Sequence, residues 1–116
     1  PAVERVDHPS LVSHSAHTLA GKLFDQGRHG AVVTVHLKGG RAAGLAFADR
    51  LRVVTLAASL GGTHTLASHV ATTSHRNMSD ADLAAAGISA GAVRFSIGRE
   101  DPQDLIEDAL QALGDG

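Results

Sequence analysis

At 116 residues and 43% apolar content, the chain is sized for one domain with a single core rather than for a disordered segment. A net charge of −2, with eight histidines counted as neutral and no Tyr or Trp, argues against a basic, base-stacking nucleic-acid surface. There is no Cys for disulfide or thiol chemistry, and no apolar run approaches the ~20 residues of a membrane span.

No signal peptide is visible at the start, so a cytoplasmic protein is the expectation. Residues 1–12 read as an extended lead-in, because Pro9 opposes a continuous helix. Ser13 can cap a helix reaching about Gln26, with Ala16, Leu19, Ala20, Leu23 and Phe24 on its apolar face. Ala31 to Leu37 is a strand by its β-branched content. After the Gly39-Gly40 turn, residues 41–51 form a short helix with Ala42, Leu45, Ala46 and Ala48 available for packing. Arg52 to Ala57 is a second strand, and residues 63–73 read as short extended pieces. Ser79 caps a brief helix with an acidic first turn that Gly87 closes. Ala92 to Ile97 is the third strand. Asp101-Pro102-Gln103-Asp104 opens a last helix, with Leu105, Ile106, Ala109, Leu110 and Leu113 along one face. This order predicts an α+β, two-layer domain over residues 1–116, with a mainly antiparallel sheet and helices on one face. A parallel sheet built through right-handed crossovers is the competing topology.

Arg94 is the candidate that matters most. In an alternating strand Val93, Phe95 and Ile97 face one way and Arg94 and Ser96 the other. A guanidinium there can hold a carboxylate or phosphate in a bidentate grip. It can equally sit on a solvent face, paired to an acid such as Glu100. If the strand ending in Ser59-Leu60-Gly61-Gly62 pairs with the arginine strand, Ser59 and Arg94 face one concave spot. The small residues of that turn also free backbone N–H groups for an anion.

The histidines fit no zinc spacing: His14 and His17 share a helix face, and His64, His69 and His75 share a loop region, with no Cys to support either set. His75 reads as a donor of structural hydrogen bonds within its loop. No Gly-x-Ser-x-Gly elbow is present. Neither Lys22 nor Lys38 has surroundings that would lower its pKa for Schiff-base chemistry.

Taken in order, Val53 to Gly62, Thr72 to His75, Ala84-Ala85-Ala86-Gly87-Ile88, Val93 to Gly98 and Glu100 to Ile106 resemble the C-terminal domain of the trans-sulfuration enzymes. These are the pyridoxal-phosphate-dependent enzymes of Cys/Met metabolism: cystathionine γ-synthase, the cystathionine lyases, methionine γ-lyase and the homoserine-ester sulfhydrylases. His8-Pro9, His17 and Val35 to Gly40 agree with the entry to that domain. Val70, where many members carry a proline, and His64, where an acid is frequent, depart from the pattern.

The resemblance implies that Arg94 binds the substrate α-carboxylate and that Ser59 lies beside it. It implies γ-elimination or γ-replacement on a homoserine ester or sulfur amino acid, with pyridoxal phosphate (PLP) as cofactor of the full enzyme. The small Ala58 and the Thr72 to His75 loop lean towards sulfhydrylase-like or methionine-lyase-like substrates. Such chemistry needs a cofactor lysine, an acid on the pyridine nitrogen and a phosphate loop, which the family carries in its larger preceding domain. The expected partners are therefore that domain, an amino-acid substrate and further copies of the enzyme, with no catalytic, cofactor or metal residues in this chain. A chain of this kind is expected to be inactive alone and to self-associate through an exposed apolar patch. A free-standing module that binds a small carboxylate or serves assembly, without catalysis, is the alternative.

Overall fold

The computed structural model describes residues 3–8, 10–11, 15–23, 30–57, 63–72 and 77–114. In chain order the elements are β1 (Val3–Asp7), α1 (His17–Leu23), β2 (Val32–Leu37), α2 (Gly40–Arg50), β3 (Thr55–Leu56), β4 (Leu66–His69), α3 (Asp80–Ala85), β5 (Ala92–Ser96) and α4 (Pro102–Leu113). A 3-10 turn, Val70–Thr72, follows β4. The strands form one sheet in the order β1-β2-β5-β4-β3. β2 pairs antiparallel with β1 and with β5, and β5 pairs antiparallel with β4. Only the short β3 runs parallel to its neighbour, β4. The expected α+β domain with a mainly antiparallel sheet is the fold observed.

Alternation along the strands divides the sheet into two chemically different faces. Val33, Val35, Leu37, Ala67, Val93 and Phe95 face α2 and α4 and pack with Phe47 and Ala112. Phe47 and Phe95 meet edge to face, with ring centroids 5.9 Å apart. The remaining face carries Thr34, His36, Ser68, Arg94 and Ser96.

Local signals set the helix ends as read from the sequence. Ser79 accepts from the Asp82 N–H while the Asp82 carboxylate accepts from the Ser79 N–H, a reciprocal capping box. Asp101 caps α4 at Gln103 N–H, with Pro102 in the first turn. Gly87, with φ of 78°, follows α3 in the left-handed conformation that ends a helix. Among the described residues no helix is long and apolar enough to cross a membrane.

Several expectations need correction. The second and third predicted strands do not pair, because β4 lies between β3 and β5. The second predicted strand shrinks to Thr55–Leu56, since the N–H groups of residues 52–54 bond a side chain of α4 instead of a neighbouring strand. Part of the lead-in becomes β1, paired to β2. On α2 the buried positions are Gly44, Phe47 and Ala48, whereas Ala42 and Leu45 face out. On α4 the inward stripe includes Asp108 and Ala112, which turns Ile106 and Leu110 towards solvent. Of the first predicted helix, α1 is the described part. Ser13, Phe24 and Gln26 lie outside the described residues.

Candidate functional site

The alternation that sends Val93 and Phe95 into the core sends Arg94 to the opposite face. Its register partners are Thr34 on β2 and Ser68 on β4, so the guanidinium rises from the middle of a polar sheet face. His36 lies diagonally from it, opposite Ala92. Diagonal cross-strand neighbours are about 7–8 Å apart, within reach of long side chains.

β1 contributes to the same face because of an irregularity in its register. Val3 pairs with Leu37, and after the shift between Val3 and Arg5, Arg5 pairs with His36 and Asp7 with Thr34. A regular ladder would have placed Arg5 opposite Val35, over the apolar core. The extra residue flips Arg5 and Asp7 to the polar face and leaves Val6 opposite Val35.

These residues line one cavity of about 270 Å³: Arg5, Asp7, Thr34, His36, Ala92 and Arg94 from the sheet, with Val70, Gly87 and Ile88 completing the wall. Within it, His36 Nε2 meets Asp7 Oδ2 at 2.7 Å and Arg5 Nε meets Asp7 Oδ1 at 3.5 Å. His36 is buried, and its Nδ1 has no hydrogen-bond partner among the described residues. Arg94 is partly buried. Glu100, the acid that could have paired with Arg94 on a solvent face, is taken by Thr65 instead: Oε2 accepts from Thr65 N–H and Oε1 from Thr65 Oγ1–H, both at 2.7 Å. The Thr65 hydroxyl, its N–H and Glu100's own N–H hold the Glu100 carboxyl below its ordinary pKa.

A second carboxylate does structural work at the far edge of the sheet. Asp108 of α4 accepts from the backbone N–H groups of Arg52, Val53 and Val54 at 2.8, 2.8 and 2.9 Å, and from Gln111 Nε2 at 2.9 Å. Burial by itself would raise the Asp108 pKa. The N–H bonds from Val54, Arg52 and Val53 and the Gln111 amide outweigh it, and the carboxyl lies below its ordinary value.

Ser59, the other predicted site residue, lies outside the described residues, as do His14 and the Thr73 to His75 loop. His69, at the end of β4, makes loop-holding bonds of its own. It is buried against α2, its Nε2 lies 2.7 Å from Ala90 O and its Nδ1 2.9 Å from Thr72 Oγ1. A carbonyl only accepts, so Nε2 carries the proton. Among the described residues no group of three His, Asp or Glu is placed to hold a metal ion. Lys22 and Lys38 are exposed, and neither lines the cavity. Sequence reasoning missed Arg5, Asp7 and His36. The alternation of residues 32–37 could have placed Thr34 and His36, but nothing local announces the β1 irregularity.

Comparison with known proteins places the chain in context. The family model for Cys/Met metabolism PLP-dependent enzymes matches residues 1–114. The chain is 42% identical over 113 residues to an O-succinylhomoserine sulfhydrylase of Pseudomonas aeruginosa and 40% identical to an L-methionine gamma-lyase of Fusobacterium nucleatum. Each match covers 97% of this chain and 28% of the relative. Among solved structures it superposes on cystathionine gamma synthase from Xanthomonas oryzae, with a TM-score of 0.83 and 43% identity over 97% of this chain and 28% of that one. It also superposes on a cystathione gamma lyase from Micromonospora echinospora, with a TM-score of 0.86 and 37% identity over 100% and 30% of the two chains.

Proposed function

The chain belongs to the Cys/Met metabolism family of PLP-dependent enzymes, and on that premise we propose that it supplies the substrate-carboxylate site of such an enzyme. Arg94 grips the α-carboxylate of a homoserine ester or sulfur amino acid undergoing γ-elimination or γ-replacement. The observation that carries this reading is the position of Arg94: mid-strand, turned away from the core and lining a cavity with both polar and apolar walls. A guanidinium presents a rigid fork that matches a carboxylate. Its anchoring on the central strand restricts where the carboxylate can lie, so its contribution is to orient the substrate. Val70 and Ile88 line the same cavity and exclude water from one side. Ser59 is assigned to the carboxylate site on the family resemblance alone.

The residues present do not fit a PLP anchor, because both lysines are exposed and outside the cavity. We assign the cofactor-holding lysine, its acid partner and the phosphate loop to a preceding domain in a longer polypeptide. The chain spans only 28% of the length of its Pseudomonas relative. PLP, once held there, supplies an electron sink for the substrate carbon. By itself the chain is inactive.

The test has two arms. Titration of the chain with O-acetyl-L-homoserine, followed by NMR of the arginine side chains, is expected to move the Arg94 guanidinium signal, and R94Q to abolish binding. An unmoved signal, or retained affinity in R94Q, overturns the carboxylate role. The chain mixed with PLP, O-acetyl-L-homoserine and sulfide is expected to give no thiol product. Product formation would overturn the claim that it is inactive alone.

A further inference from the structure

We propose that a second cavity, between α2 and the β3–β4 edge of the sheet, binds a small organic cation: a primary alkylammonium with a short apolar stem. It shares no lining residue with the cavity at Arg94, so it stands apart from the carboxylate reading.

The walls set the size and the stem. Leu45, Ala48 and Asp49 are spaced so that they share one face of α2, which meets the cavity with two apolar side chains and one carboxylate. Leu56 and Ala67 line it from β3 and β4. Its volume of about 190 Å³ equals about six water molecules at about 30 Å³ each, which restricts an occupant to a handful of non-hydrogen atoms. Leu45 and Leu56 are 37% and 51% exposed, and an alkyl stem laid along them removes that apolar surface from water.

Asp49 selects the charge of the head. It is the one Asp, Glu, Lys or Arg in the lining, and it makes no hydrogen bond or ion pair among the described residues. The adjacent cation, Arg50, lies towards the end of α4: its Nη1 is 3.7 Å from where a Cβ on Gly114 would stand. Asp49 also sits in the last turn of the 11-residue α2, where the helix dipole adds to the preference for a cation.

A second polar group is left over at the same cavity. β3 pairs with β4 only as far as Leu56 and Ala67, and the next residue, Ser68, lines the cavity beside them. Ser68 is 3% exposed, and its hydroxyl has no hydrogen-bond partner among the described residues. A buried hydroxyl left in that state is costly, and a ligand N–H relieves it. An ammonium carries three N–H donors, enough for the carboxylate and the hydroxyl together. His69 and Thr72, also in the lining, already bond each other through Nδ1 and Oγ1.

NMR titration of the 116-residue chain with n-butylammonium, 1-butanol and butyrate tests the assignment. The three share a stem and differ in the head, and the alcohol can also pair with Ser68, so the ratio of ammonium to alcohol isolates Asp49. n-Butylammonium is expected to bind about fivefold more tightly than 1-butanol, the upper end for an exposed ion pair, with butyrate the weakest. The amide shifts are expected at Ala48, Asp49, Ala67 and Ser68. In D49N the ratio is expected to fall to about one, and S68A is expected to weaken n-butylammonium about tenfold. Equal binding of ammonium and alcohol, an unaltered ratio in D49N, undiminished binding in S68A, or shifts at Asp7 and His36 in place of Asp49 and Ser68 overturns the inference. Asp49 is exposed, so D49N is expected to fold, and the comparison of the three ligands needs no variant.

Discussion

The Asp108 carboxylate and the Val54 N–H, 54 residues apart in sequence, form a 2.9 Å hydrogen bond inside the protein. The same carboxylate accepts from the two preceding N–H groups, so one side chain of α4 fixes the bend that leads into β3. Val54 is buried, so loss of the carboxylate takes away the acceptor of a desolvated N–H. D108A is therefore expected to cost about 2–4 kcal/mol, most of it the desolvated Val54 N–H. D108N is expected to cost less, since its carbonyl oxygen can still accept while its NH₂ faces a donor. Urea denaturation measures both, and equal stability of D108A and the parent chain would show the bonds to be idle.

Asp108 and Glu100 also set an acid limit. Both carboxyls lie below their ordinary values in the folded chain, so the folded state binds fewer protons than the unfolded state in that range. Their contribution to stability is complete above the ordinary carboxylate pKa of about 4 and is lost as pH falls through the lowered values. T65V removes the hydroxyl that donates to Glu100 and accepts from Gly98 N–H. The Glu100 carboxyl is then expected to titrate nearer its ordinary value, as read from its ¹³C carboxyl shift against pH. The chain is expected to lose about 1–2 kcal/mol at neutral pH through the orphaned Gly98 N–H. A Glu100 titration unaltered by T65V would assign the shift to another group.

These two carboxylates mark what the sequence did and did not disclose. The division between Val93 and Phe95 on one side and Arg94 on the other follows from a two-residue period, a local property. The caps at Ser79 and Asp101 are local as well, set by side chains that accept from N–H groups of the next turn. The truncation of β3 was not legible, because it depends on an acceptor 54 residues away that takes the N–H groups a strand would have used. The insertion of β4 between β3 and β5, and the β1 irregularity that delivers Arg5, likewise depend on long-range pairing. Even the α4 stripe was misread by a partial turn, because hydrophobicity alone gives no reason for an aspartate at position 108 to face inward.

Gly44 is the point where α2 lies against His69. A Cβ built there would stand 2.6 Å from His69 Cδ2 and 2.7 Å from Nε2. His69 cannot withdraw without breaking its bonds to Ala90 O and Thr72 Oγ1. Alanine would ordinarily favour a helix over glycine by about 1 kcal/mol. Overpacking a fixed neighbour costs about 1–3 kcal/mol, so the net effect of G44A is expected to be destabilising. In an H69A background the two closest contacts are gone and only an approach of 3.3 Å to Gly91 Cα remains, so G44A is expected to be far less destabilising there. A double-mutant cycle with no coupling would show that the helix, not the histidine, yields.

The apolar residues left outside the core predict behaviour in solution. Leu19 and Leu23 of α1 are 56% and 68% exposed, and Ile106 and Leu110 of α4 are 51% and 59% exposed. Each pair is spaced i, i+4 and so forms a short stripe on one helix face. Single exposed leucines are ordinary, but paired stripes on two helices are the surfaces that favour association. Sedimentation velocity of the chain is expected to show mass rising with concentration. L19E/L23E and I106E/L110E, each placing two charges in a stripe, separate the two surfaces: the pair whose replacement returns the chain to a monomer carries the contact. Neither pair is buried, so far-UV circular dichroism is expected to be preserved in both. A parent chain that stays monomeric across the accessible concentration range would show that neither stripe drives association by itself.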